Sequence, residues 1–64
     1  MDTEDLKFTV SYGFNRAAFS GQGHALEFAK YISGMGGYLV YVYDENGQLI
    51  GEFEDGETKY SVQS

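Results

Sequence analysis

From Leu6 the chain alternates strictly, with Leu6, Phe8, Val10 and Tyr12 set against Lys7, Thr9, Ser11 and Gly13. A period of two marks a half-buried strand. The pattern then changes. Ala25, Phe28, Ala29 and Ile32, with Leu26 beside them, recur at i, i+3, i+4 and i+7 and predict one helix over residues 20–33. Ser20 is its candidate N-cap and Gly34 its left-handed C-cap, with Gly34-Met35-Gly36-Gly37 expected to stop it. Gly21 and Gly23 weaken the first turn and move the expected start toward His24.

The C-terminal part returns to alternation, broken by Asn46-Gly47 and Asp55-Gly56, both strong hairpin signals. Two-residue loops there pair Tyr43 with Ile50, Val42 with Gly51, Tyr41 with Glu52 and Val40 with Phe53. The second turn pairs Phe53 with Thr58, Glu52 with Lys59, Gly51 with Tyr60 and Leu49 with Val62. The two registers agree on one face made of Tyr38, Val40, Val42, Leu49, Phe53, Tyr60 and Val62, which the helix should cover. Gly51 would leave room there for an aromatic ring. Residues 14–19 stay open between two readings. Phe14-Asn15-Arg16 turns the first strand back, with Ala17 and Phe19 on Tyr12 and Val10, or the segment is a loop. The expected fold is α+β, one helix on a mainly antiparallel sheet of four or five strands, in the order β(β)αβββ. Residues 1–5 form an acidic flexible tail and residues 6–64 the single domain.

The opposite face would carry Leu39, Tyr41, Tyr43, Ile50, Glu52, Glu54, Lys59 and Ser61. A purely solvating face would lack the tyrosines and aliphatics. Tyrosine is enriched at the centres of protein interfaces, being large, stiff and able to hydrogen-bond. Three readings follow: a contact surface for another protein, a homodimer interface, or a face covered by residues 13–21 or the tail.

Size and composition sharpen this. A chain of 64 residues has a small core, since such domains bury only about 60% of the unfolded chain's surface. It has no cysteine and one histidine, so packing among eleven Phe and Tyr residues must stabilise it without disulfide or structural zinc. No apolar run approaches the roughly 18 residues of a membrane span. Met1-Asp2-Thr3-Glu4-Asp5 is acidic where a secretory leader would be basic. A cytoplasmic location with no membrane partner is expected.

The net charge is −6, which disfavours direct contact with nucleic acid because phosphates repel a surface of their own sign. The acids cluster. Asp44 and Glu45 flank the first turn, Glu54, Asp55 and Glu57 surround the second, and Glu52 continues that line. Carboxylates at i and i+2 of a strand repeat at roughly 6.6–6.8 Å, a row that a groove built for phosphates would accept.

Chemistry finds no footing in the pattern. Gly21-Gln22-Gly23 lacks the third glycine of a dinucleotide loop and the Gly-Lys-Ser/Thr ending of a P-loop. Ser20 and His24 stand four apart with no orienting acid marked, and Asp44–Leu49 lacks the ligand spacing of a calcium loop. The expectation is a protein that is no enzyme and binds no metal or cofactor.

A small, acidic, cysteine-free α+β domain with an aromatic contact face resembles the inhibitors encoded by phages and mobile elements, the anti-CRISPR and DNA-mimicking anti-restriction proteins. The resemblance lies in size, charge and architecture, and no sequence motif carries it. It implies a stoichiometric blocker in a bacterial host. Tyr41, Tyr43, Asp44, Glu45, Glu52, Glu54, Asp55 and Glu57 would occupy the basic DNA-binding surface of a CRISPR effector subunit or another defence protein. The alternative is a self-associating structural or regulatory adaptor unrelated to nucleic acid.

Overall fold

The computed structural model describes residues 6–62. Residues 1–5, read above as a tail, lie outside them. The chain runs β1 (Phe8–Tyr12), β2 (Asn15–Phe19), α1 (Gln22–Gly36), β3 (Leu39–Tyr43), β4 (Leu49–Glu54) and β5 (Glu57–Ser61). All five strands join one antiparallel sheet in the order β2-β1-β3-β4-β5. The α+β class with one helix on one sheet face therefore holds, and residues 15–19 supply a fifth strand.

That fifth strand follows a tighter reversal than Phe14-Asn15-Arg16. The turn is Gly13-Phe14, with Gly13 at φ +59°, so Val10 faces Ala17 and Phe8 faces Phe19. Glycine at the first central position suits a type II′ hairpin, whose twist matches the flanking strands.

The helix also departs from expectation. Its N-cap is Gly21 with no side-chain cap, and it runs through Gly34 to Gly36 before Gly37 turns left-handed at φ +69°. Tertiary contact overrides the poor propensity of its last turn. A Cβ on Gly34 would stand 3.4 Å from Gly56 Cα, and one on Gly36 would collide with the Tyr38 ring. Both glycines let neighbouring groups come close. Buried Ser33 fastens the same turn of the helix, its hydroxyl donating to Lys30 O at 2.9 Å and accepting the Gly56 N–H at 3.0 Å.

The core lies between α1 and the sheet. Val10, Val40, Val42, Ile50 and Phe53 meet Ala25 and Ala29, with Phe8, Tyr12, Phe19, Leu26, Phe28, Ile32 and Val62 around them. Phe28 packs on Phe19 and edge-on to Tyr12 at 5.1 and 5.8 Å between ring centroids. Such pairs add about 0.5–1.5 kcal/mol beyond the area they bury.

Two β-bulges correct the expected faces. At Asn46-Gly47 the loop has three residues, Glu45 to Gly47. Asp44 N–H donates to Gln48 O and Gly47 N–H to Asp44 O, each at 2.9 Å. Gly47 takes the left-handed position at φ +79°. The pairs Val40–Phe53, Tyr41–Glu52 and Val42–Gly51 are as expected, but Tyr43 faces Leu49 and Ile50 is the extra residue. A one-residue offset exchanges faces. Ile50 is therefore in the core and Leu49 outside it.

The second turn is as read, with Asp55 and Gly56 both at positive φ, the type I′ form. Beyond it the register shifts, so Glu52 faces Tyr60 and Gly51 faces Ser61. Lys59, the extra residue, pairs with Glu57 at 3.6 Å rather than with Glu52. Tyr60 belongs to the outer face, not the core, and is 46% exposed. The space over Gly51 is filled by Leu26 and Phe53, whose atoms would meet a Cβ at 2.7 and 3.2 Å.

Candidate functional site

The helix leaves the other side of the sheet without a covering element among the described residues. Register fixes what stands there. On β3 the buried Val40 and Val42 point to the helix, so Leu39, Tyr41 and Tyr43 point away. On β4 the buried Gly51 and Phe53 send Glu52 and Glu54 outward. Their antiparallel partners share that side, which adds Ser11 and Thr9 from β1 and Glu57 and Tyr60 from β5. Arg16, opposite Ser11, completes the row on β2.

Tyr41 and Tyr43 lie ring to ring, 6.4 Å apart and tilted by 32°. With Tyr60 two strands away, they form an aromatic centre. Neither Tyr41 nor Tyr43 belongs to the core cluster, and both are half-buried. Leu39 stays 41% exposed at one margin of the face.

The acids divide. Glu52, Glu54, Asp55 and Glu57 gather on and around the β4–β5 hairpin, with Glu52 half-buried and the other three exposed. Asp44 and Glu45 lie beyond the far end of β4, whose six residues put the second turn about 20 Å from them, with Glu52 between at about 10 Å. The acids thus form two groups rather than one row. Asp44 also has a local duty. Its Oδ1 accepts the N–H groups of Asn46 and Gln48, both at 2.9 Å, and shapes the loop.

Charge is segregated across the fold. From Leu39 to Val62 six carboxylates stand against Lys59 alone, whereas residues 6–38 carry Lys7, Arg16 and Lys30 against Glu27. The negative half of the sheet is therefore β3–β4–β5.

Two shallow hollows open near the β3–β4 loop. One, about 520 Å³, is lined by Arg16, Thr9, Ser11, Tyr43 and Glu45 on the outer face. The other, about 450 Å³, lies between Lys7, Gln22, Glu45, Ile50 and Val62. Neither includes His24, which is exposed in the first helical turn, or Ser20. No group of three or more His, Asp or Glu converges on a metal position among the described residues. No helix is long and apolar enough to cross a membrane among them.

No family model, curated protein or solved structure matches this chain. The functional reading therefore stands on the site itself.

Sequence pattern located Leu39, Tyr41, Tyr43, Glu52 and Glu54 on the free face, placed Glu57 only at the second turn, and missed Tyr60 and Leu49, since no residue type marks either bulge. Phe14 is fully exposed at the tip of the first hairpin, away from the strand pairings that build this face.

Proposed function

We propose that this chain is a non-catalytic binding protein that lays its outer sheet face on a basic protein surface. The observation that supports it is the uncovered face where Tyr41, Tyr43 and Tyr60 stand beside Glu52, Glu54 and Glu57. Tyrosines are enriched at the centre of protein interfaces and charges at the rim, and here Glu52 is the one carboxylate set between the tyrosines. Such an interface covers roughly 800 Å² per partner, a patch about 30 Å wide. That exceeds the separation of the two acidic ends, so Asp44, Glu45 and Asp55 serve as its rim.

A partner rich in Lys and Arg follows from the negative half of the sheet. Surfaces of that kind commonly hold nucleic acid, which the acidic face would exclude by occupying it. This is the action of the phage-type inhibitors that the chain resembles, with a bacterial CRISPR effector or another DNA-binding defence protein as target.

The experiment begins with a partner captured on the immobilised chain from a bacterial lysate. The captured protein is then tested for competition between DNA and this chain. Binding should weaken steeply from 50 to 500 mM salt, and DNA should displace the chain. Retention of the partner by a variant reversed in charge at Glu52, Glu54, Asp55 and Glu57 would sink the proposal, as would simultaneous binding of DNA.

A further inference from the structure

Tyr41, Glu52 and Tyr60 stand directly opposite one another on β3, β4 and β5. A carboxylate is thereby flanked on each side by a phenol ring, on a rigid sheet and facing outward. Glu52 is half-buried, and the one ion pair among the described residues is Lys59–Glu57. The cation at the other end of the same row, Arg16, is three strands from Glu52, about 14–15 Å. Among the described residues Glu52 thus has no cation within 4 Å, the neighbouring Lys59 being paired with Glu57.

We propose that this row receives an arginine side chain of the partner. The guanidinium pairs with the Glu52 carboxylate through two parallel N–H···O bonds, while Tyr41 and Tyr60 stack against its faces. The dimensions agree. Strands two apart are about 9.4–9.8 Å from each other, and a flat group with a ring on each face needs about 7–8 Å. Each ring has to lean in by about 1 Å. Tyr43, next to Tyr41, widens the aromatic platform. Lysine fits less well, because a compact ammonium has no plane to stack and no fork to match a carboxylate. The inference rests on the reading that the outer face takes a basic partner, and it names the contact that anchors it.

The test is an NMR titration of the isotope-labelled chain with two blocked peptides of equal length and charge, hexa-arginine and hexa-lysine. The largest amide shifts should fall at Tyr41, Glu52 and Tyr60, with hexa-arginine bound at least about threefold more tightly. Glu52→Gln should weaken hexa-arginine about tenfold and Tyr60→Leu about threefold. Tyr60→Phe, which keeps the ring, should bind as the parent does, and Glu45→Gln at the far end should cost less than about twofold. Equal affinity for the two peptides, or equal losses from Glu45→Gln and Glu52→Gln, would overturn the arginine site and leave the basic-partner reading standing. Shifts absent from the outer face with both peptides would remove that reading as well.

Discussion

Replacing Ser33 with alanine tests how the helix is fastened to the β4–β5 turn. The Ser33 side chain is fully buried, and its hydroxyl is the acceptor for the Gly56 N–H at 3.0 Å. Beside it, Gly34 and Gly56 approach so closely that a Cβ on either would lie 3.4–3.5 Å from the other's Cα. Alanine leaves the half-buried Gly56 N–H without that acceptor, and a stranded donor costs about 1–3 kcal/mol. Against this, alanine is favoured over serine within a helix by about 0.5 kcal/mol. The hydrogen bond wins, leaving a net loss of about 1.5 kcal/mol. A domain of 64 residues has a total stability of about 3–10 kcal/mol. A loss of 1 kcal/mol lowers Tm by about 4–8 °C at this size, so the variant should melt roughly 6–12 °C lower. Circular dichroism melts measure the shift, and hydrogen exchange at the Gly56 amide reports the bond itself. A melting temperature within about 2 °C of the parent, with Gly56 exchange unchanged, would refute the fastening.

Two further outcomes probe other joints of the fold. Gly51→Ala brings a methyl to 2.7 Å from Leu26 Cδ2 and 3.2 Å from Phe53 Cε2, so urea unfolding should show a loss of about 1–3 kcal/mol. Adding Leu26→Ala should recover part of it, and strictly additive losses would show that the two side chains do not compete for that space. Asp44→Ala removes the acceptor of the Asn46 and Gln48 N–H groups and should cost about 1 kcal/mol, whereas Asp44→Asn keeps the accepting oxygen and should cost less than half of that. Equal losses for the two substitutions would assign the effect to charge instead.

The legible parts of this fold are those where local chemistry and the apolar pattern agree. Asp55-Gly56 announces its own turn, because few residue pairs accept positive φ at both positions. The stripe Ala25, Phe28, Ala29 and Ile32 shows which way the helix faces. Asn46-Gly47 misled because Asp44 offers a side-chain acceptor to two backbone N–H groups, which favours a three-residue loop over the two-residue form. The pairings of Val40, Val42 and Tyr41 still came out as expected, since the extra residue at Ile50 cancels the longer loop. The run Gly34-Met35-Gly36 looked like a helix stop. Its glycines instead allow the helix to approach Gly56 and the Tyr38 ring, and such long-range contacts leave no local trace in a sequence.

The two bulges, invisible in the sequence, are what assemble the candidate site. In an unbroken ladder Tyr60 would face Gly51 beneath the helix, where Leu26 already fills the space. The extra residue at Lys59 shifts Tyr60 to face Glu52 and sends its ring outward. The extra residue at Ile50 does the converse work, moving that aliphatic into the core and leaving Leu49 beside Tyr43. Bulges serve to re-aim side chains and are frequent next to functional positions. The β5 bulge has a second effect, since a twisted edge bearing Glu57 and Lys59 is a poor template for another strand. Pairing with a partner strand at the β5 edge is thereby discouraged, while β2 forms the sheet's other edge. On the β5 side of the sheet this leaves the outer face with its three tyrosines as the surface that the proposed docking would use.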